Sequence, residues 1–304
     1  MRDNFIRALT ELAGEDPRVM LLNGDLGFKV LDDFIARYPE NYVNAGIAEQ
    51  NMTAVACGMA LAGARAYTYS IGNFPTLRCL EQIRNDVCYH RADVTIVAIG
   101  GGLSYGQLGM SHFAIEDLAI LRVLPEMTVV APSDPWQAYA LTRQLHARGG
   151  PGYLRIDKSA AGLPAGPVTL GKAREVRAGT DAVIFATGGI VGEAIAAAEI
   201  LAAEGRSIRV IDIHTIKPLD SDAICAAAAA CGLIVTLEEH SVVGGLGGAI
   251  AEVCLEKGVP VRGFRRIGLG DSFPVVVGDQ SYLRCRHGLD APAVAAALRS
   301  MLAG

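Results

Sequence analysis

Several stretches of this 304-residue sequence have residue types that could do chemistry, and most fail on spacing. Gly100-Gly101-Gly102-Leu103-Ser104-Tyr105-Gly106 follows an apolar run but does not read Gly-x-Gly-x-x-Gly, and Gly244 to Gly248 fails the same test for a dinucleotide loop. Gly166 to Ala173 falls one residue short of a phosphate-binding loop. Ala173 has no hydroxyl for a magnesium ion, and no buried strand precedes it. The six histidines (90, 112, 146, 214, 240, 287) show no metal-ligand spacing, so no zinc site is expected. What remains is Asn44-Ala45-Gly46-Ile47-Ala48-Glu49-Gln50-Asn51-Met52, where one carboxylate opens a run of small and apolar residues reaching Ala62. An acid in the first turn of a helix can simply offset the unpaired N–H groups and the dipole, an effect of ~0.3–1 kcal/mol.

The context favours more than that. Asn-x-Gly-Ile-Ala-Glu-Gln-Asn-Met resembles the signature of the transketolase family, which includes deoxyxylulose-phosphate synthase and uses thiamine diphosphate. Further segments keep the resemblance in order: Tyr67-Thr68-Tyr69-Ser70, Glu81 to Val87, Gly109-Met110-Ser111-His112, Glu116 to Ala119, Leu121 to Met127 and Ala131-Pro132-Ser133-Asp134. These segments run in register from Asn44 to Asp134, and the resemblance extends over nearly the whole chain.

The resemblance implies that residues 1–165 form the domain receiving the cofactor's aminopyrimidine ring and 166–304 the family's C-terminal domain, the second half of a full-length transketolase. The family glutamate falls on Glu49. A carboxylic acid in an apolar site can share a proton with the ring nitrogen and favour the imino tautomer. The aromatic ring that stacks on the aminopyrimidine matches Phe74, with Ile71 standing where transketolases often carry another aromatic; a core phenylalanine starting a helix is the alternative. His112 matches the histidine facing the substrate's oxygens, against a satisfied loop residue. Arg155 matches the arginine that holds substrate phosphate, its fork suiting an anion, against a structural pair with a nearby carboxylate.

Departures from the family pattern narrow the expectation. The acidic residue four positions before the family histidine is here Leu108, and another phosphate ligand corresponds to Gly100. The substrates are therefore expected to differ from the standard pentose phosphates, or to be contacted from elsewhere. No Gly-Asp-Gly motif is present: Gly24-Asp25, Gly270-Asp271 and Gly278-Asp279 all lack the second glycine. The diphosphate and its Mg²⁺ are thus expected on a partner subunit, with no metal held by this chain.

The elements that must position these residues alternate along the chain. Apolar β-rich runs at 19–22, 66–70, 94–99, 128–130 and 153–156 predict strands, with helices at about 48–62, 74–90, 114–123 and 134–148 between them. The rhythm breaks over Ser159 to Thr180, a Gly/Pro-rich crossing. It then resumes with strands at 182–187, 208–213, 233–238 and 261–267 and helices at about 191–204, 221–231, 245–257 and 291–302. The expected fold is α/β, two doubly wound domains: a mostly parallel pyrimidine-binding domain and a smaller α/β domain.

Composition bounds the partners. Hydrophobic residues make up 51% and charged residues 19%, which excludes general disorder. A net charge of −5 without a basic cluster excludes a nucleic-acid footprint. No apolar stretch reaches membrane-spanning length. The odd number of cysteines, seven with no Cys-x-x-Cys, suits reduced thiols in a cytoplasm.

The leading expectation is one subunit of a split transketolase-like enzyme, active with a second subunit. It would transfer a two-carbon ketol unit between sugars that are phosphorylated or otherwise anionic. Homodimerisation and a heterotetramer with the partner are expected. The alternatives are the beta subunit of a 2-oxoacid dehydrogenase and a non-catalytic structural or regulatory partner.

Overall fold

The computed structural model describes residues 1–303, which form two α/β layers. The first half of the chain supplies strands β1 (Val19–Asn23), β2 (Tyr42–Asn44), β3 (Arg65–Ile71), β4 (Val94–Ile99), β5 (Thr128–Val130) and β6 (Gly152–Ile156). The second half supplies β7 (Arg174–Arg177), β8 (Ala182–Ala186), β9 (Ile208–Asp212), β10 (Thr215–Lys217), β11 (Leu233–Ser241) and β12 (Gly263–Leu269). One sheet has seven strands in the order β10-β5-β6-β4-β3-β1-β2, and the other has five in the order β12-β11-β8-β9-β7. Every pairing is parallel except at two edges, where β10 lies antiparallel on β5 and β7 antiparallel on β9.

Burial on both faces explains the Val/Ile-rich runs. All six residues of β4 are buried. Val94, Ile96 and Ala98 pack into the cluster holding Met52, Ala56 and Val129, whereas Val97 and Ile99 pack into that holding Leu9, Leu12 and Leu141. Each such Leu, Ile or Val stabilises the fold by ~1.5–3 kcal/mol. The first of these clusters crosses between the sheets, since it also contains Val183, Phe185, Ile211, Ile234 and Ile250.

Several elements differ from the sequence reading. A helix over Arg2–Glu15, where that reading places no element, buries Phe5, Ile6, Leu9 and Leu12 against the first sheet. The helix expected over 74–90 is a series of turns through Cys79, one short helical stretch at Leu80–Gln82 and a π-helical stretch at Ile83–Cys88. Its start is taken up by a turn in which Thr76 Oγ1 donates to the Gly72 carbonyl, 3.2 Å away. The helix expected at 114–123 begins only at Asp117. β7, inside the supposed crossing, is a polar Arg-Glu-Val-Arg edge strand that lacks the two-sided burial of an internal strand. No helix among the described residues is long and apolar enough to cross a membrane.

Candidate active site at the strand ends

Because β1, β3, β4 and β6 run parallel, their C-terminal ends open on the same edge of the sheet, where ligands of doubly wound folds bind. The residues singled out by motif gather beside these ends. Glu49 is the first residue of the helix Glu49–Leu61, and only 1% of it is exposed. Gly24, just after β1, leaves the approach to it uncrowded, since a Cβ there would lie 3.2 Å from Ser70 Oγ and 3.6 Å from Glu49 Cγ. Ser70 Oγ is itself buried without a hydrogen-bond partner.

The carboxylate of Glu49 accepts a hydrogen bond from Arg78 Nη1 at 2.7 Å. The same guanidinium lies 4.7 Å from the centroid of the Phe74 ring, so one cation joins the acid to the aromatic face. Sequence reasoning does not single out Arg78, although it is the lone charged residue between Ile71 and Leu80. Phe74 sits in the turn after β3 rather than at the start of a helix, and its amide donates to the Ile71 carbonyl at 2.9 Å. Ile71 itself closes β3, paired with Ile99.

His112 lies edge-on to Phe74, with centroids 5.2 Å apart, and its Nδ1 is 2.9 Å from Ser111 Oγ. Tyr105 is a second ring beside it, tilted, with centroids 6.3 Å apart. The ammonium of Lys158 lies 3.6 Å from the Tyr105 ring centroid, and burial pulls its pKa below the usual lysine value. Tyr105, Gln107, Leu108, Lys158 and Gln280 line a cleft of about 370 Å³ that both halves of the chain build. Lys158 also escapes the sequence reading, where its signal is a polar Asp-Lys pair directly after the apolar strand β6.

Arg155 lies beside a carboxylate at the interface between the two halves. Its side chain is 5% exposed, Nε lies 3.2 Å from Asp117 Oδ2, and Nη2 donates to the carbonyls of Ala114 and Glu239, each at 2.8 Å. Its neighbour Tyr153 also donates to Asp117. Burial opposes the guanidinium charge most strongly, but Asp117, Tyr153, Asp157 and Glu239 together outweigh it and raise the pKa above the usual arginine value. This geometry fits the structural pair, the alternative to a substrate contact, since Nε and Nη2 are engaged within the interface between the two halves. Leu108, where the family carries an acid, is 55% exposed at the cleft. Among the described residues no group of three or more His, Cys, Asp or Glu is disposed to hold a metal ion.

The arrangement joins a buried acid, an aromatic face, a histidine and a cation at one sheet edge, as a site for a planar heterocycle and an anionic partner molecule would. Comparison with known proteins agrees on the class. Residues 1–163 match the transketolase pyrimidine-binding domain and residues 171–294 the transketolase C-terminal domain. The chain belongs to the transketolase family.

Among its relatives, the 6-deoxy-6-sulfo-D-fructose transketolase subunit of Clostridium sp. (strain MSTE9) is 38% identical over 96% of this chain and 91% of its own. An apulose-4-phosphate transketolase subunit of Phocaeicola vulgatus is 36% identical, over 95% and 93%. The 1-deoxy-D-xylulose-5-phosphate synthase of Syntrophotalea carbinolica is also 36% identical, but its match to 98% of this chain takes up only 47% of its own length. A solved structure described as a split gene transketolase, inactive beta4 tetramer, superimposes with a TM-score of 0.87 at 35% identity, covering 99% of this chain and 97% of that one.

Proposed function

We propose that this chain is the pyrimidine-side subunit of a split, thiamine-diphosphate-dependent transketolase that moves a two-carbon ketol unit between anionic sugars. The observation that carries the reading is Glu49: a carboxylate 1% exposed, at the head of a helix, with the half-exposed Arg78 as its ion-pair partner. A buried acid needs a reason, because desolvation costs several kcal/mol unless the charge is paired. The orphaned Ser70 Oγ beside it, and the close approach that a bare Gly24 permits, fit a bound polar ring. Of the two thiamine-dependent readings open from sequence, the kinds of relative found favour the transketolase over the 2-oxoacid dehydrogenase component.

The cofactor supplies, when bound, a thiazolium carbon that becomes nucleophilic. Glu49 would share a proton with the pyrimidine ring, and Phe74 would give that ring a stacking face. His112, near both Phe74 and Tyr105, would donate to the sugar oxygens. Lys158, rather than Arg155, is the cation that meets the sugar's anionic end in the cleft. The diphosphate and its Mg²⁺ would be held by a second polypeptide, with two copies of each chain as the assembly.

The test is reconstitution. The purified chain should be inactive alone and gain ketol transfer on adding the partner polypeptide, thiamine diphosphate and Mg²⁺. The donors are 6-deoxy-6-sulfo-D-fructose and xylulose 5-phosphate, with neutral fructose as the contrast. Transfer by this chain without any partner would overturn the split-enzyme reading, and no transfer from any donor by the assembled protein would overturn the transketolase reading.

A further inference from the structure

The triple glycine Gly100-Gly101-Gly102 touches neither the acid nor the aromatic face, yet each member makes room for one particular side chain. A Cβ on Gly100 would lie 2.1 Å from the Tyr105 ring, one on Gly101 2.2 Å from Arg155 Nε, and one on Gly102 2.5 Å from Glu239 Oε1. Gly102 also has φ +61°, which a side chain would strain. The loop leaving β4 is therefore pressed against β11 of the other half.

Glu239 is the centre of that contact. Its side chain is buried at 2% exposure. Oε1 accepts from the Leu103 amide at 2.6 Å and from Gln280 Nε2 at 2.8 Å, while Oε2 accepts from Arg284 Nε at 2.5 Å. Gln280 Nε2 also reaches Ser104 Oγ at 3.2 Å and Asp157 Oδ1 at 3.0 Å. Farther along, the Gly278 amide donates to the Gly106 carbonyl at 3.2 Å. Glu239, Gln280 and Gly278, which grip residues 103–106 in this way, all come from the C-terminal half. The gripped segment carries Tyr105, the ring on which Lys158 rests and beside which His112 stands. The bridge between Gly102 and Ala114 ties it to the strand-like turn that follows His112.

We propose that Glu239, supported by Gln280 and Arg284, is a positioning residue that holds the substrate-facing loop 101–108 in its working conformation. The C-terminal half thereby sets the sugar subsite from behind without touching substrate through Glu239. The inference rests on the transketolase reading for its substrate, but its structural half does not.

Two readouts separate those parts. In amide hydrogen exchange on the full chain, Glu239→Ala should speed exchange over 101–108 at least tenfold while leaving the helix Glu49–Leu61 protected. In the reconstituted enzyme it should raise KM for the best anionic donor about tenfold or more, with a smaller change in kcat. Glu239→Gln, which still accepts from Leu103, should restore most of both. Gly102→Ala, approaching from the loop side, should reproduce the KM effect. Unchanged exchange at 101–108 in Glu239→Ala overturns the proposal. So does a loosened loop with KM unmoved and kcat alone reduced, since the loop would not then serve the sugar subsite. If the wild-type assembly transfers no ketol unit, the functional reading falls, and the binding arm passes to inorganic phosphate as the probe anion. The concentration that protects 104–108 from exchange should then rise about tenfold in Glu239→Ala, and an unchanged concentration overturns the proposal.

Discussion

Arg78 reaches Glu49 across 2.7 Å while its guanidinium lies against the Phe74 ring, so the acid and the aromatic face are fixed to each other by a single side chain. Neither end of that relationship is adjacent in sequence to the other. Glu49→Gln keeps the volume and removes the exchangeable proton. Turnover in the reconstituted enzyme should fall by about 10²–10⁴ with the melting temperature of the chain little changed. Near-normal turnover would remove Glu49 from the chemistry.

Lys158→Ala should raise KM for the anionic donors by roughly ten- to a hundredfold, the loss of one charge-assisted hydrogen bond of ~1.5–3 kcal/mol. Neutral fructose, if turned over, should be unaffected. Equal loss for charged and neutral donors would make Lys158 a packing residue over Tyr105.

Arg155→Ala should act on stability instead. It leaves Asp117, 1% exposed, without its ion-pair partner, and breaking a buried pair costs about 3–5 kcal/mol. Urea unfolding measures this. A variant of unchanged stability that loses affinity only for anionic sugars would return Arg155 to the substrate.

Asp212 gives the fold a pH dependence. Burial raises its carboxyl to about 6, against hydrogen bonds from Gln137 and Ser133 that favour the charge. A carboxyl with higher proton affinity in the folded state stabilises the fold while protonated. That contribution is fully present below the ordinary aspartate value near 3.8 and is lost as pH rises through about 6. Between pH 4 and pH 7.5 the wild type should therefore lose stability relative to Asp212→Asn by on the order of 2 kcal/mol. Parallel pH profiles for the two proteins would show that Asp212 stays ionised throughout.

What can be read from sequence follows how local the cause is. The run Val94–Ile99 reads as a strand because burial on both faces demands apolar residues throughout. Glu49 stands out because its motif is contiguous and its helix otherwise almost uncharged. The helix Arg2–Glu15 shows apolar residues at Phe5, Leu9 and Leu12, a helical spacing that is present in the sequence but short enough to pass over. Arg155 resists placement, since its partners come from two distant parts of the chain, Ala114 and Asp117 in one and Glu239 in the other, and a strand residue's pattern does not reveal what lies across an interface. Lys158 and Arg78 acquire meaning only from rings brought near by the fold. The turns after Ile71 resemble helix because Asn73 to Leu80 is apolar enough to suit either.

The pairing of β10 with β5 bears on how this protein can be taken apart. Thr215 and Lys217 lie against Val130 and Val129, although they come from the half matched by the other family model. A recombinant fragment stopping near residue 165 would leave β5 as an open sheet edge beside uncovered Met127 and Leu121. Such an edge is a template for self-association. The first half should thus be recovered as aggregate when expressed by itself, and as a clean species when the segment through Lys217 is retained or supplied in trans.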